Sequence, residues 1–300
     1  MRGIITIVLL LTGATGLVGS PLLRRLTARG EPVRCLVRDP RRLGPERVRV
    51  QITIGDLTDP RAYRQALRGA RTVVHLAASH RDQPHATIEE LAGLATWRLL
   101  RAAEQAGVEH FVFFSALGAS PWHRSRLHRA KALAEQAVAA ADLRTTTFAP
   151  SLVYSPGDRR LARLDRLAWL PAVPLAGLGR ARTQPIWAED VADCVIAALD
   201  GAPGTERHTR YELAGPDVLT HREVAELALR AGHRRRRLVP VPTSILRPLL
   251  RGYEALAGPT AVATWEEAEL LGVTMRTSRG TADAEALGVH PRRLAAVLGA

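Results

Sequence analysis

Lysine is almost absent from this 300-residue chain: Lys131 stands alone beside 41 arginines. In a chain so committed to arginine, one retained lysine marks a place where a compact ammonium works and a planar guanidinium would not. The competing reading is that a single surviving lysine must simply fall somewhere. Cysteine is scarce too. Cys35 and Cys194 are too few for a disulfide framework, have no metal-ligand spacing and lie in apolar surroundings, so both are expected in the core and no metal site is expected. Aromatic residues make up only 4%, too few for a base-stacking platform. The formal charge of +13 is scattered through every predicted helix, with one run at Arg234, Arg235, Arg236 and Arg237, and forms no coherent basic face. Loose anion affinity follows, without a specific nucleic-acid partner. No apolar run approaches the roughly 18 residues of a membrane span. The run from Ile4 to Leu11 imitates a signal-peptide core, but a glycine turn follows it where a small-residue cleavage site would stand. A cytoplasmic protein is the expectation.

What is present begins with that turn. Thr12, Gly13, Ala14, Thr15, Gly16, Leu17, Val18 and Gly19 follow the apolar run directly. The run reads as a buried strand, and Leu17, Val18, Leu22, Leu23 and Leu26 have helical spacing. Glycines on a strand-to-helix turn let the backbone approach a pyrophosphate, which the helix N-terminus then faces. The spacing is GxxGxxG, not the better-known GxGxxG, and an ordinary tight turn is the alternative. Val33 to Val37 forms the next strand and ends at Arg38, 19 positions beyond Gly19. An arginine there accommodates a ribose 2′-phosphate, where an acid would bind the 2′-hydroxyl. Arg38 therefore argues for NADP(H) over NAD(H), with Arg41 and Arg42 as helpers; a solvated surface arginine is the alternative.

Strands are expected at Val48 to Ile54, Thr72 to Leu76, His110 to Ser115 and Arg144 to Ala149. Helices are expected from Thr87 to Ala106 and from about Arg124 to Ala140. Such alternation implies a parallel, doubly wound α/β sheet. Asp56, just past the third strand, suits an adenine amine or a helix cap equally well. The small Ala77 and Ala78 after the fourth strand let a flat cofactor lie close. From Pro150 the rhythm changes: prolines recur at 156, 171, 174 and 185. Clear helices remain at Ala188 to Leu199 and at Thr220 to Ala231, the latter with a capping box of Thr220 and Glu223, and a strand at Tyr211 to Ala214. The expected division is a cofactor-binding domain over 1–150 and a substrate lobe over 151–300, interleaved with sheet elements at 184–214.

With these residues in place, the chain resembles the short-chain dehydrogenase/reductase superfamily, in its extended and atypical branches. It is similar there to epimerase-like NAD(P)H-binding proteins and to relatives of the complex I NADPH-binding subunit. The likeness rests on Thr12 to Gly19, Leu36 to Pro40, Gly55 to Asp59, His75 to Ala78, Ser115 to Ala119, Pro150 to Tyr154 and Gln184 to Ala192. It implies a Rossmann-type doubly wound parallel sheet with helices on both faces and a smaller C-terminal lobe. It also implies cofactor contacts from Gly13, Thr15, Gly16, Leu17, Val18 and Gly19, from Arg38, Asp56, Leu57, Ala77 and Ala78, and from Lys131, Pro150 and Val153.

The departure lies at the chemistry. The family places a tyrosine four residues before its lysine as general acid or base, and a serine on the fifth strand. Ser115 and Lys131 match the serine and the lysine, but the tyrosine position is Leu127. His128 shares roughly one helix face with Lys131 and could replace the acid, although such a histidine is more often solvated. Tyr154 is a second candidate donor or a pocket wall. The expected register turns Leu127 toward the nicotinamide, with Lys131 holding ribose hydroxyls. The resemblance thus implies a reductase or isomerase acting on a small activated carbonyl, enone or quinone-like substrate. The alternative is a non-catalytic NADPH-holding redox sensor or assembly scaffold. A monomer or homodimer is expected.

Overall fold

The computed structural model describes residues 8–83, 85–201, 206–258, 261 and 263–300. The first strand, β1, is Val8–Thr12; positions 4–7 of the expected strand lie outside the described residues. It feeds α1 (Gly19–Ala28) and is followed by β2 (Val33–Val37), β3 (Gln51–Ile54), α2 (Pro60–Leu67) and β4 (Ala70–His75). A π-helical turn at Glu90–Leu94 leads into α3 (Ala95–Gln105). Then come β5 (His110–Phe114), α4 (Arg126–Ala139) and β6 (Arg144–Pro150). The expected third strand is shorter than predicted, because residues up to Val48 instead form a 3₁₀ segment capped by Asp39.

The chain continues through β7 (Val153–Tyr154), α5 (Arg159–Leu167), β8 (Ala172–Ala176), β9 (Arg182–Thr183) and β10 (Ile186–Trp187). Next are α6 (Ala188–Leu199), β11 (His208–Leu213), β12 (Leu219–Thr220) and α7 (His221–Ala231). The remainder holds β13 (Arg237–Val241), α8 (Thr243–Ala257), α9 (Trp265–Leu270), α10 (Ala282–Ala286) and α11 (Leu294–Leu298).

Seven strands form one parallel sheet in the order β11-β6-β5-β4-β1-β2-β3. A parallel sheet is covered on both faces, so its strands are apolar throughout. Alternate residues go to opposite layers: Leu10, Val73, Phe111 and Phe113 pack with α2, α3 and α4, while Leu11, Val74, Val112 and Phe114 pack with α1, α6 and α10. Both cysteines lie in the second layer, where burial pushes each thiol up to about 12. Arg25 of α1 ties that layer together, with Nε on Asp193 at 2.6 Å and Nη1 on Glu189 at 2.5 Å, both carboxylates on α6. The capping box of α7 is present as expected. The prolines at 171, 174 and 240 conceal a two-stranded parallel pair, β8 with β13.

A Cβ on Gly19 would stand 2.0 Å from the carbonyl oxygen of Gly13, whereas one on Gly252, inside α8, would meet nothing. Gly19→Ala should therefore destabilise the fold by about 2 kcal/mol or more. Gly252→Ala should stabilise it by about 0.5–1 kcal/mol. Urea unfolding of the two variants checks both signs.

Candidate active site

The site is built at the carboxyl edge of the sheet, where open α/β sheets take their ligands. At the end of β1 the chain turns at Gly13, φ +76°, and a side chain there would meet Ala77 N at 2.6 Å and Leu76 C at 2.8 Å. The glycine turn and the end of β4 thus lie backbone against backbone. Gly16 N–H donates to Gly13 O at 2.9 Å, and Gly16 and Leu17 are exposed. No side chain caps α1, as is also true of α3, α4, α6, α8, α10 and α11. The free N–H groups of an uncapped N-terminus fit an anionic diphosphate.

At the next strand end, Arg38 is exposed and its Nε lies 3.9 Å from Asp56 Oδ2. The other Asp56 oxygen accepts from Thr58 N and Oγ1, both at 2.9 Å, so Asp56 braces its own turn while Asp59 caps α2. Arg41 is not the free helper expected, since its Nε and Nη2 are held by Asp39 at 2.9 and 3.1 Å. Leu57 is packed into the core, leaving its backbone to touch a ligand. Ala77 is half-buried and Ala78 exposed beside the glycine turn, while Pro150 ends β6 and Val153 opens β7.

Ser115 and Lys131 come together. Lys131 Nζ donates to Phe114 O at 2.5 Å and sits 4.8 Å over the Phe113 ring. Ser115, the next residue, holds a buried Oγ without a partner in the described structure. Such a hydroxyl is costly unless a ligand completes it. Burial pushes the Lys131 ammonium down to about 8, opposed by Glu135 one turn along.

The other candidates read differently. Leu127 is buried in a small apolar cluster with Ile88, Ala92 and Ala130, against which Leu270 of α9 packs, so the position expected to face the nicotinamide holds a core side chain. His128 is buried with both ring nitrogens unpartnered and its ring stacked 4.3 Å from that of His123. Burial, then His123 and His80, push it down to about 4, so at neutral pH it lacks the proton a general acid must give. It is neither solvated nor a ready acid. Tyr154 fills a cluster with Leu152, Val224, Val273 and Met275, and burial pushes its phenol up. Tyr154 is thus a core side chain.

Sequence reading missed a buried chain beneath the site. His75 Nδ1 lies 2.7 Å from Thr12 Oγ1 and its Nε2 3.0 Å from Thr96 Oγ1. Burial, then Lys131, hold this imidazole down at about 3, so it is neutral at neutral pH and links β1, β4 and α3. A histidine closing an otherwise apolar strand was the available signal.

A family model for NAD(P)H-binding proteins matches residues 13–203. This chain belongs to that family. Over 231 residues it is 32% identical to the Arabidopsis thaliana mitochondrial NADH dehydrogenase [ubiquinone] 1 alpha subcomplex subunit 9, covering 72% of this chain and 55% of the relative. It thus spans about half the length of that protein. It is 29% identical over 251 residues to the NAD(P)H azoreductase of Xenophilus azovorans, covering 81% and 80% of the two chains. The fold is shared with an Escherichia coli NADPH-dependent quinone oxidoreductase complexed with NADPH, at TM-score 0.73, 18% identity and coverage of 97% and 98%. Among the described residues of this NAD(P)H-binding protein, no helix is long and apolar enough to cross a membrane.

Lys131 yields a signed pH effect. Its folded value lies below the ordinary 10.5. The cost of the buried charge is therefore full below about pH 8 and is relieved as pH rises to 10.5. Relative to Lys131→Met, which does not titrate, the wild type should gain up to roughly 3 kcal/mol across that window. Urea unfolding of both proteins between pH 7 and 10.5 measures it; a constant difference would contradict the burial.

Proposed function

We propose that the protein is an NADPH-dependent reductase of a small, activated organic substrate, working without the usual tyrosine acid. The observation that carries this reading is the unpartnered Ser115 hydroxyl beside the Lys131 ammonium, with apolar Leu127 where the acid would stand. NADPH, when bound, supplies a hydride. Gly13, Thr15, Gly16, Leu17, Val18 and Gly19 cradle its diphosphate, Arg38 and Arg42 face its 2′-phosphate, and Asp56 and Leu57 border its adenine. Ala77, Ala78, Pro150 and Val153 form the floor and walls of the nicotinamide end. Lys131 holds ribose hydroxyls, and Ser115 orients the accepting group of the substrate. An enone, quinone or azo group, polarised already, takes hydride and draws its proton from water. In this reading residues 1–150 hold the cofactor, and 151–300, apart from the sheet elements within 184–214, hold the substrate. The azoreductase and quinone oxidoreductase likenesses agree with a reductase. The buried Leu127 position favours a second reading, a non-catalytic NADPH holder.

Charge-assisted bonds of the kind Arg38 would make contribute about 1.5–3 kcal/mol. NADPH should bind at least about tenfold tighter than NADH, and Arg38→Ala should erase that preference. Calorimetric titration of both cofactors checks this; equal affinities in the wild type would defeat it.

Turnover separates the two readings. NADPH oxidation with a water-soluble naphthoquinone or azo dye should proceed and should fall at least tenfold in Ser115→Ala, with NADPH affinity unchanged. Tight NADPH binding with no oxidation of any such acceptor would favour the holder.

A further inference from the structure

Outside the seven-stranded sheet lies a half-open cleft of about 280 Å³, lined by Leu178, Gly179, Arg180, Thr220, Arg222 and Pro240. Three segments converge there: the turn after β8, the junction of β12 with α7, and β13. None of the six residues is among the proposed cofactor and substrate contacts. The backbone fixes how they meet. β12 pairs antiparallel with β9, Thr220 opposite Arg182. The pairing runs on as His221 N donates to Ala181 O at 3.1 Å and Arg222 N to Gly179 O at 3.2 Å. Arg180 therefore lies across from the first turn of α7. A Cβ on Gly179, φ +63°, would come within 3.3 Å of Arg222 Cβ, so the glycine lets the two arginines rise from adjacent backbones.

Charge in the cleft is unbalanced. None of its lining residues is acidic. Arg180 is exposed, and its guanidinium makes no hydrogen bond or ion pair among the described residues. Arg222 is half-buried, and its Nη2 donates to Leu238 O at 3.4 Å, which holds its fork over β13. Its ion-pair partner Glu226 stands 3.7 Å from Nη1, beyond hydrogen-bond distance, and is shared with Arg230 at 3.9 Å. Glu223 is committed to the capping box, accepting from Thr220 N at 2.7 Å and Thr220 Oγ1 at 2.8 Å. The first N–H groups of α7 are taken as well, by Ala181 O, Gly179 O and Thr220 Oγ1. Recognition here falls to side chains, not to the helix end. Two neighbouring guanidiniums with one remote, shared carboxylate repel each other until an anion enters between them.

We propose that this cleft is a binding site for the phosphate of a phosphomonoester, held between Arg180 and Arg222. The phosphate dianion matches the two positive charges, and each guanidinium fork pairs with its oxygens. The volume falls below the roughly 300–1,000 Å³ of a site that encloses a whole small ligand. The cleft therefore takes the head group, and the body of the ligand projects past Leu178 and Pro240, both exposed. The phosphate belongs either to the substrate or to a separate ligand, and the site stands on either source without the reductase reading.

Calorimetry on the protein saturated with NADPH tests this, with phenyl phosphate, phenylacetate and uncharged benzyl alcohol as probes. Phenyl phosphate should bind at least about tenfold tighter than either of the others. It should also bind tighter at about pH 7 than at about pH 5, because its second ionisation lies near about pH 6 while the guanidiniums stay charged. Arg180→Gln and Arg222→Gln should each weaken it at least about tenfold. Arg235→Gln, which removes an exposed charge outside the cleft, should change it less than about twofold. No preference for phenyl phosphate in the wild type, affinity that survives both cleft variants, or an equal loss in Arg235→Gln would overturn the site. So would binding lost on saturation with NADPH, since the phosphate would then occupy the cofactor site. A rise in the KM for the naphthoquinone at saturating phenyl phosphate assigns the phosphate to the substrate; an unchanged KM assigns it to a separate ligand, and both support the site. Arginine-dependent binding without turnover of any acceptor supports it too and counts against the reductase reading alone. Arg180→Gln breaks no contact and should melt within about 2 °C of wild type, which keeps the test decisive if Arg222→Gln, losing its bond to Leu238, melts lower.

Discussion

The backbone of Gly13 lies so close to Ala77 N that no side chain fits between them, and the candidate site is laid out from that contact. It sets the end of β1 against the end of β4 and brings the uncapped start of α1 over the sheet edge. Thr12 and His75, the last residues of the same two strands, are joined by a buried hydrogen bond that continues to Thr96 on α3. The turn is thus pinned from below by a neutral polar chain and from above by the absence of Cβ atoms. A rigid edge of this kind presents donors to a diphosphate without reorganisation on binding.

Further along the same edge, chemistry is concentrated at one corner. Lys131 reaches from α4 to the carbonyl of Phe114, which fixes its ammonium within one residue of Ser115. The low-dielectric surroundings that lower its basicity also strengthen its hydrogen bonds to a ligand. None of the three candidate acids suits that role: Leu127 is a buried apolar side chain, His128 is a neutral stacked ring and Tyr154 is a core side chain. Under the proposed reading, the corner holds and orients the ligand while water supplies the proton.

The fold was legible where burial on both faces made strands read as apolar runs. Val33–Val37 and Ala188–Leu199 coincide with their expected limits. Two-residue strands such as β7, β9, β10 and β12 carry too few residues for any periodicity, and prolines disguised the pairing of β8 with β13. Ser115 and Lys131 were legible because each belongs to one local element. The packing of Leu127 was not, because Leu270 arrives from far along the chain.

That Lys131 is the only lysine makes the central claim directly measurable. Protein grown with lysine labelled at the ε carbon gives a single side-chain resonance, which can be followed with pH. The account predicts titration near 8 in the free protein. It also predicts a shift of that resonance on adding NADPH that 2′,5′-ADP, lacking the nicotinamide ribose, does not produce. Titration near the ordinary 10.5, or an equal response to both ligands, would contradict it.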